Sequence, residues 1–177
     1  RWNVKVRKRD SSTHQVSASG AYYSIDRTVS QTATRIEVED TFTNTTDEVL
    51  GIILSNHLNL RELPGARPTI HANATVFAAN ESRGVGLVAL DDVYFLQMEN
   101  GVVDGLARLK DPHFGLASGA SYTVKWAIYP TASENYYDFI NQVRHDEGLN
   151  GHVPGGLTLS TGWVTPSQEE VRNKGLG

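Results

Sequence analysis

The chain has 177 residues, 39% of them hydrophobic and 20% charged, which suits one soluble globular domain with a real core. A formal net charge of -4, with both signs spread along the chain, argues against a nucleic-acid partner. The absence of cysteine excludes disulfides and thiolate metal sites without fixing a compartment.

Residues 1–9 alternate Trp2, Val4 and Val6 with charged residues and read as a first strand, its basic positions forming the wet face. Asp10, Ser11, Ser12 and Thr13 make a turn cluster. Residues 14–25 give one or two strands hinged near Gly20, and the polar residues 27–34 read as a loop. Over residues 34–43 Ile36, Val38 and Phe42 point one way while Arg35, Glu37, Glu39 and Thr41 point the other. A turn follows at Asn44, and residues 49–54 form a continuous apolar run, expected to be a strand covered on both faces. Residues 57–69, with Pro64, Gly65 and Pro68, are the least regular part. Strands are expected over 70–79, 84–90, 92–98 and 102–109, before Asp111 and Pro112 break the pattern.

The clearest stretch is 121–150. Tyr122, Val124, Trp126 and Ile128 alternate with Thr123, Lys125, Ala127 and Tyr129, and Pro130 is expected to end that strand. Ser133 can cap the next turn, with Glu134 at the positive end of a helix. Tyr136, Phe139, Ile140 and Val143 recur at helical spacing, and Gly148 supplies a stop. Beyond it a loop at 151–156, a last strand through Leu157 and Leu159 toward Trp163, and a helical turn at 167–174 are expected. No stretch is long and apolar enough to span a membrane, and none reads as a signal peptide. Many short strands and one late amphipathic helix imply a mainly β fold, an antiparallel β-sandwich of jelly-roll or supersandwich type. A single domain over 1–177 is expected, and Arg1 reads as a cut end, so a piece of a longer polypeptide.

The segments WAIYPT (126–131) and YYDFINQVRHDEGLN (136–150) carry a resemblance. They are similar to a segment of large, multidomain bacterial proteins related to glycoside hydrolases, in which a β-sandwich domain runs into a (β/α)₈ catalytic barrel. The likeness is clearest over 84–150 and fainter over 34–60. It implies a carbohydrate-active context, an adjacent catalytic barrel in the parent chain, and a secreted, periplasmic or cell-surface location.

Catalysis finds little support in the residues. Glycoside hydrolysis needs two carboxylates across one bond. Glu37, Glu39, Asp40, Asp91, Asp92 and Glu99 are available, but Glu37 and Glu39 beside Arg35 read as a solvated strand face. Asp91 and Asp92 read as a turn pair, with a structural calcium ion as the alternative. No cofactor is otherwise implied. No histidine pair has ligand spacing, no G-x-S-x-G elbow is present, and Gly84 and Gly86 are too few for a phosphate loop.

Carbohydrate binding asks for less: a flat aromatic face for the sugar ring and polar groups for its hydroxyls. Trp126 and Trp2 lie on the apolar phase of their strands and are assigned to the core. Trp163, outside any alternation, is the leading platform candidate, with packing of the tail as the alternative. Tyr22 and Tyr23 are adjacent, so one of them faces out, and Tyr94 stands opposite in phase to Val93 and Phe95. Asn59, Arg61 and Glu62 are candidates to line a loop-borne site. The leading expectation is a non-catalytic carbohydrate-binding module of a polysaccharide-degrading enzyme, with a polysaccharide or oligosaccharide as partner and neither nucleic acid nor membrane. A sandwich that buttresses a hydrolase barrel without binding sugar is one alternative, and a small sandwich-fold hydrolase or lyase another.

Overall fold

The computed structural model describes residues 2–8, 10–69 and 74–149. The strand, loop and helical turn expected beyond residue 150, and Trp163 with them, lie outside the described residues. The chain divides into two compact units, Arg1–Ile140 and Asn141–Gly177.

Among its described residues the first unit holds eleven strands: β1 (Asn3–Lys8), β2 (Thr13–Ser19), β3 (Tyr23–Gln31), β4 (Ile36–Asn44), β5 (Leu50–Asn59), β6 (Arg67–Thr69), β7 (Thr75–Ala79), β8 (Gly84–Ala89), β9 (Glu99–Val103), β10 (Leu106–Leu116) and β11 (Ser121–Thr131). A short helix, α1 (Asp92–Gln97), stands between β8 and β9, and α2 (Tyr136–Asp146) follows β11. Eight strands form one sheet in the order β1-β2-β3-β4-β11-β8-β7-β6, and three form a second, β5-β10-β9. Neighbouring strands pair antiparallel throughout the described residues. This is the mainly β sandwich with a late helix that the strand pattern implied.

Register fixes which residues share a face. On the inner face, toward the small sheet, one row runs Val6, Val16, Arg27, Asp40, Val124, and the next runs Val4, Ala18, Ile25, Phe42, Tyr122. The middle of this face is core: Val38, Phe42, Leu87, Val124 and Trp126 pack with Ile52, Leu54, Leu109, Phe114 and Leu116 of the small sheet. Three strands cannot cover eight. The β1 end of the inner face projects past the small sheet, and Val4 and Val6 are 56% and 72% exposed, whereas Phe42 in the same sheet is 7%.

The opposite, outer face is polar over β1–β4, with hydroxyl pairs Thr41–Thr123 and Thr43–Ser121, both at 2.8 Å. Over β7, β8 and β11 it carries a second small core. Phe77, Gly86 and Tyr129 form one row across the three strands. The missing side chain at Gly86 leaves a slot, and the Phe139 ring fills it, stacked on Phe77 at 5.5 Å between centroids and edge-on to Tyr129 at 5.6 Å. Tyr136 meets the edge of Phe77 at 5.9 Å and its hydroxyl lies 3.2 Å from Thr75 Oγ1. The glycines of β8 therefore receive rings; they form no phosphate loop.

The described part of the second unit is the end of α2, closed as a Schellman motif: Leu149 N–H donates to Arg144 O at 2.7 Å, Gly148 N–H donates to His145 O, and Gly148 has φ +66°.

Several sequence expectations need correction. Residues 27–31 are strand, the second half of β3; their polar look comes from outward Ser and Thr and from an inward ion pair at Arg27. The apolar run at 49–54 is buried on one face only among the described residues, with Ile52 and Leu54 inward and Ile53 exposed. Residues 92–97 are a helix, α1, because the Asp91 carboxylate caps it by accepting the Tyr94 N–H at 2.9 Å. The strand expected over 102–109 is a hairpin, with Asp104 (φ 52°) and Gly105 (φ 74°) turning β9 into β10. Strand β10 passes through Asp111 and Pro112 by a bulge. Strand β11 passes through Pro130, since residues 129–131 pair only with β8 and the position facing β4 needs no donor there. Ser133 caps the turn as expected, its hydroxyl accepting the Asn135 N–H at 2.9 Å, and Asn135 in turn caps α2 by accepting the Tyr137 N–H at 3.1 Å.

Candidate functional site

The projecting inner face of β1–β3 brings together the groups of most interest. Trp2 precedes β1 and stands across from Gly20. Three neighbouring atoms of its indole lie within 3.4 Å of where a Gly20 Cβ would be, so glycine lets the ring settle close on β2 and a larger residue would displace it by a few tenths of an ångström. Tyr23 meets the indole edge-on at 5.1 Å. The rest of the ring is in solvent, and Trp2 is 46% exposed. Its assignment to the core is thus corrected: the apolar phase of β1 is real, but nothing described covers that part of the face. From Trp2 a chain of rings runs inward through Tyr23, Phe42, Phe114 and Tyr122, each pair between 5.1 and 6.4 Å. Tyr22, at the β2–β3 turn, is 63% exposed, while its neighbour Tyr23 is half-buried against the core.

Two rows along, Arg27 marks the border between covered and uncovered face. Its Nε and Nη2 donate to the two oxygens of Asp40 at 2.6 and 2.8 Å, and Nη2 also donates to Asn56 Oδ1 at 3.2 Å. Asp40 is fully buried and also lies 3.4 Å from Trp126 Nε1, whereas the Arg27 side chain is 40% exposed. The hydrogen bonds to Asp40 raise the Arg27 pKa further, so the guanidinium stays charged. Nη1 has no partner among the described residues, on a side chain that is partly open to solvent. The network continues inward: Asn56 Nδ2 donates to the Tyr94 hydroxyl at 3.1 Å, which donates to Leu109 O at 2.9 Å. Burial, first of all, raises the Tyr94 pKa well above its ordinary value, with Asp111, Asp40 and Asp91 adding to it.

The other candidates sit elsewhere. Tyr94 is no surface platform: it is buried as the one inward side chain of α1. Asp91 engages both oxygens as the α1 cap and as acceptor from the Tyr122 hydroxyl at 2.9 Å and the Lys125 N–H at 3.0 Å. Asp92 is in the first turn of α1, and no group of three or more His, Cys, Asp or Glu gathers among the described residues. Glu37 pairs with Arg35 and Glu39 with Lys125, at 2.6 and 2.9 Å on the outer face. Asn59 caps the 3₁₀ turn Leu60–Glu62 by accepting the Arg61 N–H at 3.0 Å, and Arg61 and Glu62 are exposed on it. A polar cleft of about 680 Å³ opens beyond that turn, between Pro64, Gly65, Arg67, the turn from Asn80 to Ser82, and Glu134. No ring lines it.

Sequence reasoning missed Arg27, which fell in a presumed loop, although a signal existed. Position 40 continues the inward phase of Ile36, Val38 and Phe42, and a carboxylate there requires a cation across the sheet.

No protein-family model matches the chain, and no curated protein matches it in sequence. Solved structures do. The chain is similar to a polysaccharide lyase (TM-score 0.54, 15% identity), over 80% of this chain and 27% of that one. It is also similar to a protein from Escherichia coli K12 assigned as an aldose 1-epimerase (TM-score 0.50, 11% identity), over 73% of this chain and 68% of that one. The chain thus spans about a quarter of the lyase, and at these identities the likeness is one of fold.

Proposed function

We propose that this chain is a non-catalytic, carbohydrate-binding β-sandwich domain of a polysaccharide-degrading protein that works outside the cytoplasm. The observation that carries the reading is the projecting inner face of β1–β3. It offers an indole seated on Gly20 and half open to solvent, a strip of Val4, Val6, Val16 and Ala18 beside it, and a fixed donor at Arg27. Such a surface suits the C–H face of a sugar and its hydroxyls. The sequence resemblance to glycoside-hydrolase-related proteins supports the reading, as does a fold shared with an assigned epimerase and a polysaccharide lyase. The non-catalytic part rests on the carboxylates, whose best candidates are paired with cations or used as a helix cap.

The test is retention in gels or columns carrying immobilised polysaccharides. A stacked indole should contribute about 1–3 kcal/mol, so Trp2→Ala should weaken retention about 5- to 150-fold while the protein stays folded, its melt lowered only by the lost contact with Tyr23. Retention equal in wild type and Trp2→Ala would remove the site from this face.

A second reading, a sandwich that buttresses another part of a longer protein without binding sugar, is favoured by one observation. Val93, Phe95 and Leu96 on α1 are exposed, Leu96 at 81%. It predicts no retention on any glycan.

A further inference from the structure

We propose that the glycan held on the β1–β3 face is anionic, with a carboxylate or sulfate group seated on Nη1 of Arg27; the inference rests on the carbohydrate-binding reading above. Four observations converge on it. Arg27 is held by two bonds to a fully buried carboxylate and a third to Asn56, so its free edge points in one direction without a further loss of side-chain freedom on binding. Nη1 is the part of the guanidinium without a partner among the described residues, and the side chain is partly open to solvent. The inward positions of β1–β3 carry Arg27 and the exposed His14 but no carboxylate, in a chain whose net charge is -4. Finally, Trp2 stands two strands and four residues from Arg27, about 16 Å at ordinary strand rise and spacing, a distance that a short oligosaccharide bridges.

Asp40 offsets part of the charge of Arg27, and it also orients it. What the face presents is a directed pair of N–H donors backed by a cation, which an oxyanion accepts better than a neutral hydroxyl does. An anion-accepting donor beside a stacking platform separates this site from one that binds uncharged glucans.

The experiment compares retention of the protein in gels containing polygalacturonate, dextran sulfate or neutral dextran. The expected result is retention on one or both acidic polymers at least about tenfold stronger than on dextran. It should be lost in Val16→Glu, which places a carboxylate directly beside Arg27 in the same row, and kept in Lys5→Glu, a charge reversal on the outer face. Arg27→Lys keeps the charge but loses the clamped geometry, and should weaken retention about tenfold. Should Val16→Glu fail to fold, Val6→Glu, at the exposed end of that row, replaces it. Polygalacturonate against dextran sulfate separates carboxylate from sulfate. Equal retention on neutral and acidic polymers overturns this inference and leaves the carbohydrate-binding reading standing. Equal loss in Lys5→Glu and Val16→Glu also overturns it, since the cause is then diffuse charge. No retention on any polymer overturns both.

Discussion

Three buried polar residues, Asp40, Asn56 and Tyr94, tie the two sheets and α1 together through a continuous set of hydrogen bonds that surfaces at Arg27. A buried carboxylate is costly unless paired and hydrogen-bonded, and Arg27 meets that need from the edge of the core. Arg27→Met leaves Asp40 buried without its cation. We expect a loss of about 2–3 kcal/mol, below the usual cost of breaking a buried pair because Arg27 is partly in solvent. The double variant Arg27→Met with Asp40→Leu should recover most of it, measured by urea unfolding. Tyr94 gives a pH signature. Its folded pKa is raised above the ordinary 10.0, so the folded state holds the proton more tightly than the unfolded state. Its contribution is complete below pH 10 and is lost as pH rises, at up to about 1.4 kcal/mol per pH unit. The melting temperature of the wild type should therefore fall more steeply above pH 10 than that of Tyr94→Phe. Parallel profiles would mean that the hydroxyl is not held as described. Asp40 stood in the sequence analysis only among the candidate carboxylates, although its place on the apolar phase of β4 carried the signal. Tyr94 carried no such signal, because four consecutive apolar residues, Val93 to Leu96, fit a strand and a helix equally well until the Asp91 cap decides.

At the scale of elements, β11 and α2 were readable, and for one reason: both bury a face against something else, which imposes a period. Where no such face exists the pattern blurs. Strand β3 was half-lost because its outward residues are Ser and Thr and one inward residue is Arg. The β9–β10 hairpin carried its signal at Asp104 and Gly105, the pair a tight hairpin turn favours, but β9 is short and polar. The first turn of α2, through Phe139, meets the large sheet by a ring-in-slot contact, and it makes a coupled prediction. Phe139→Ala should cost about 3–5 kcal/mol. Gly86→Ala pushes a methyl into the ring and should cost about 1–3 kcal/mol. In the Phe139→Ala background Gly86→Ala should cost almost nothing, so a double-mutant cycle reports a strong coupling. Additive losses would show that the ring does not occupy the slot.

For the whole molecule, the consequential feature is the mismatch between eight strands and three. The small sheet and α1 cover the middle of the large sheet, and β1 and β2 project beyond them with an apolar strip, an open indole and a clamped guanidinium. Composition and periodicity announced a sandwich but not this mismatch, because the inward phase of an uncovered strand looks the same as that of a covered one; that is why Trp2 read as core. The most direct measurement is an amide chemical-shift map recorded while polygalacturonate, dextran sulfate and neutral dextran oligomers are titrated in parallel into the labelled protein. The account predicts saturable shifts centred on Trp2, Val4, Val6, Val16, Ala18 and Arg27 in at least one titration. Shifts confined to the cleft around Arg67, Asn80 and Glu134, or no shifts with any of the three oligomers, would contradict it.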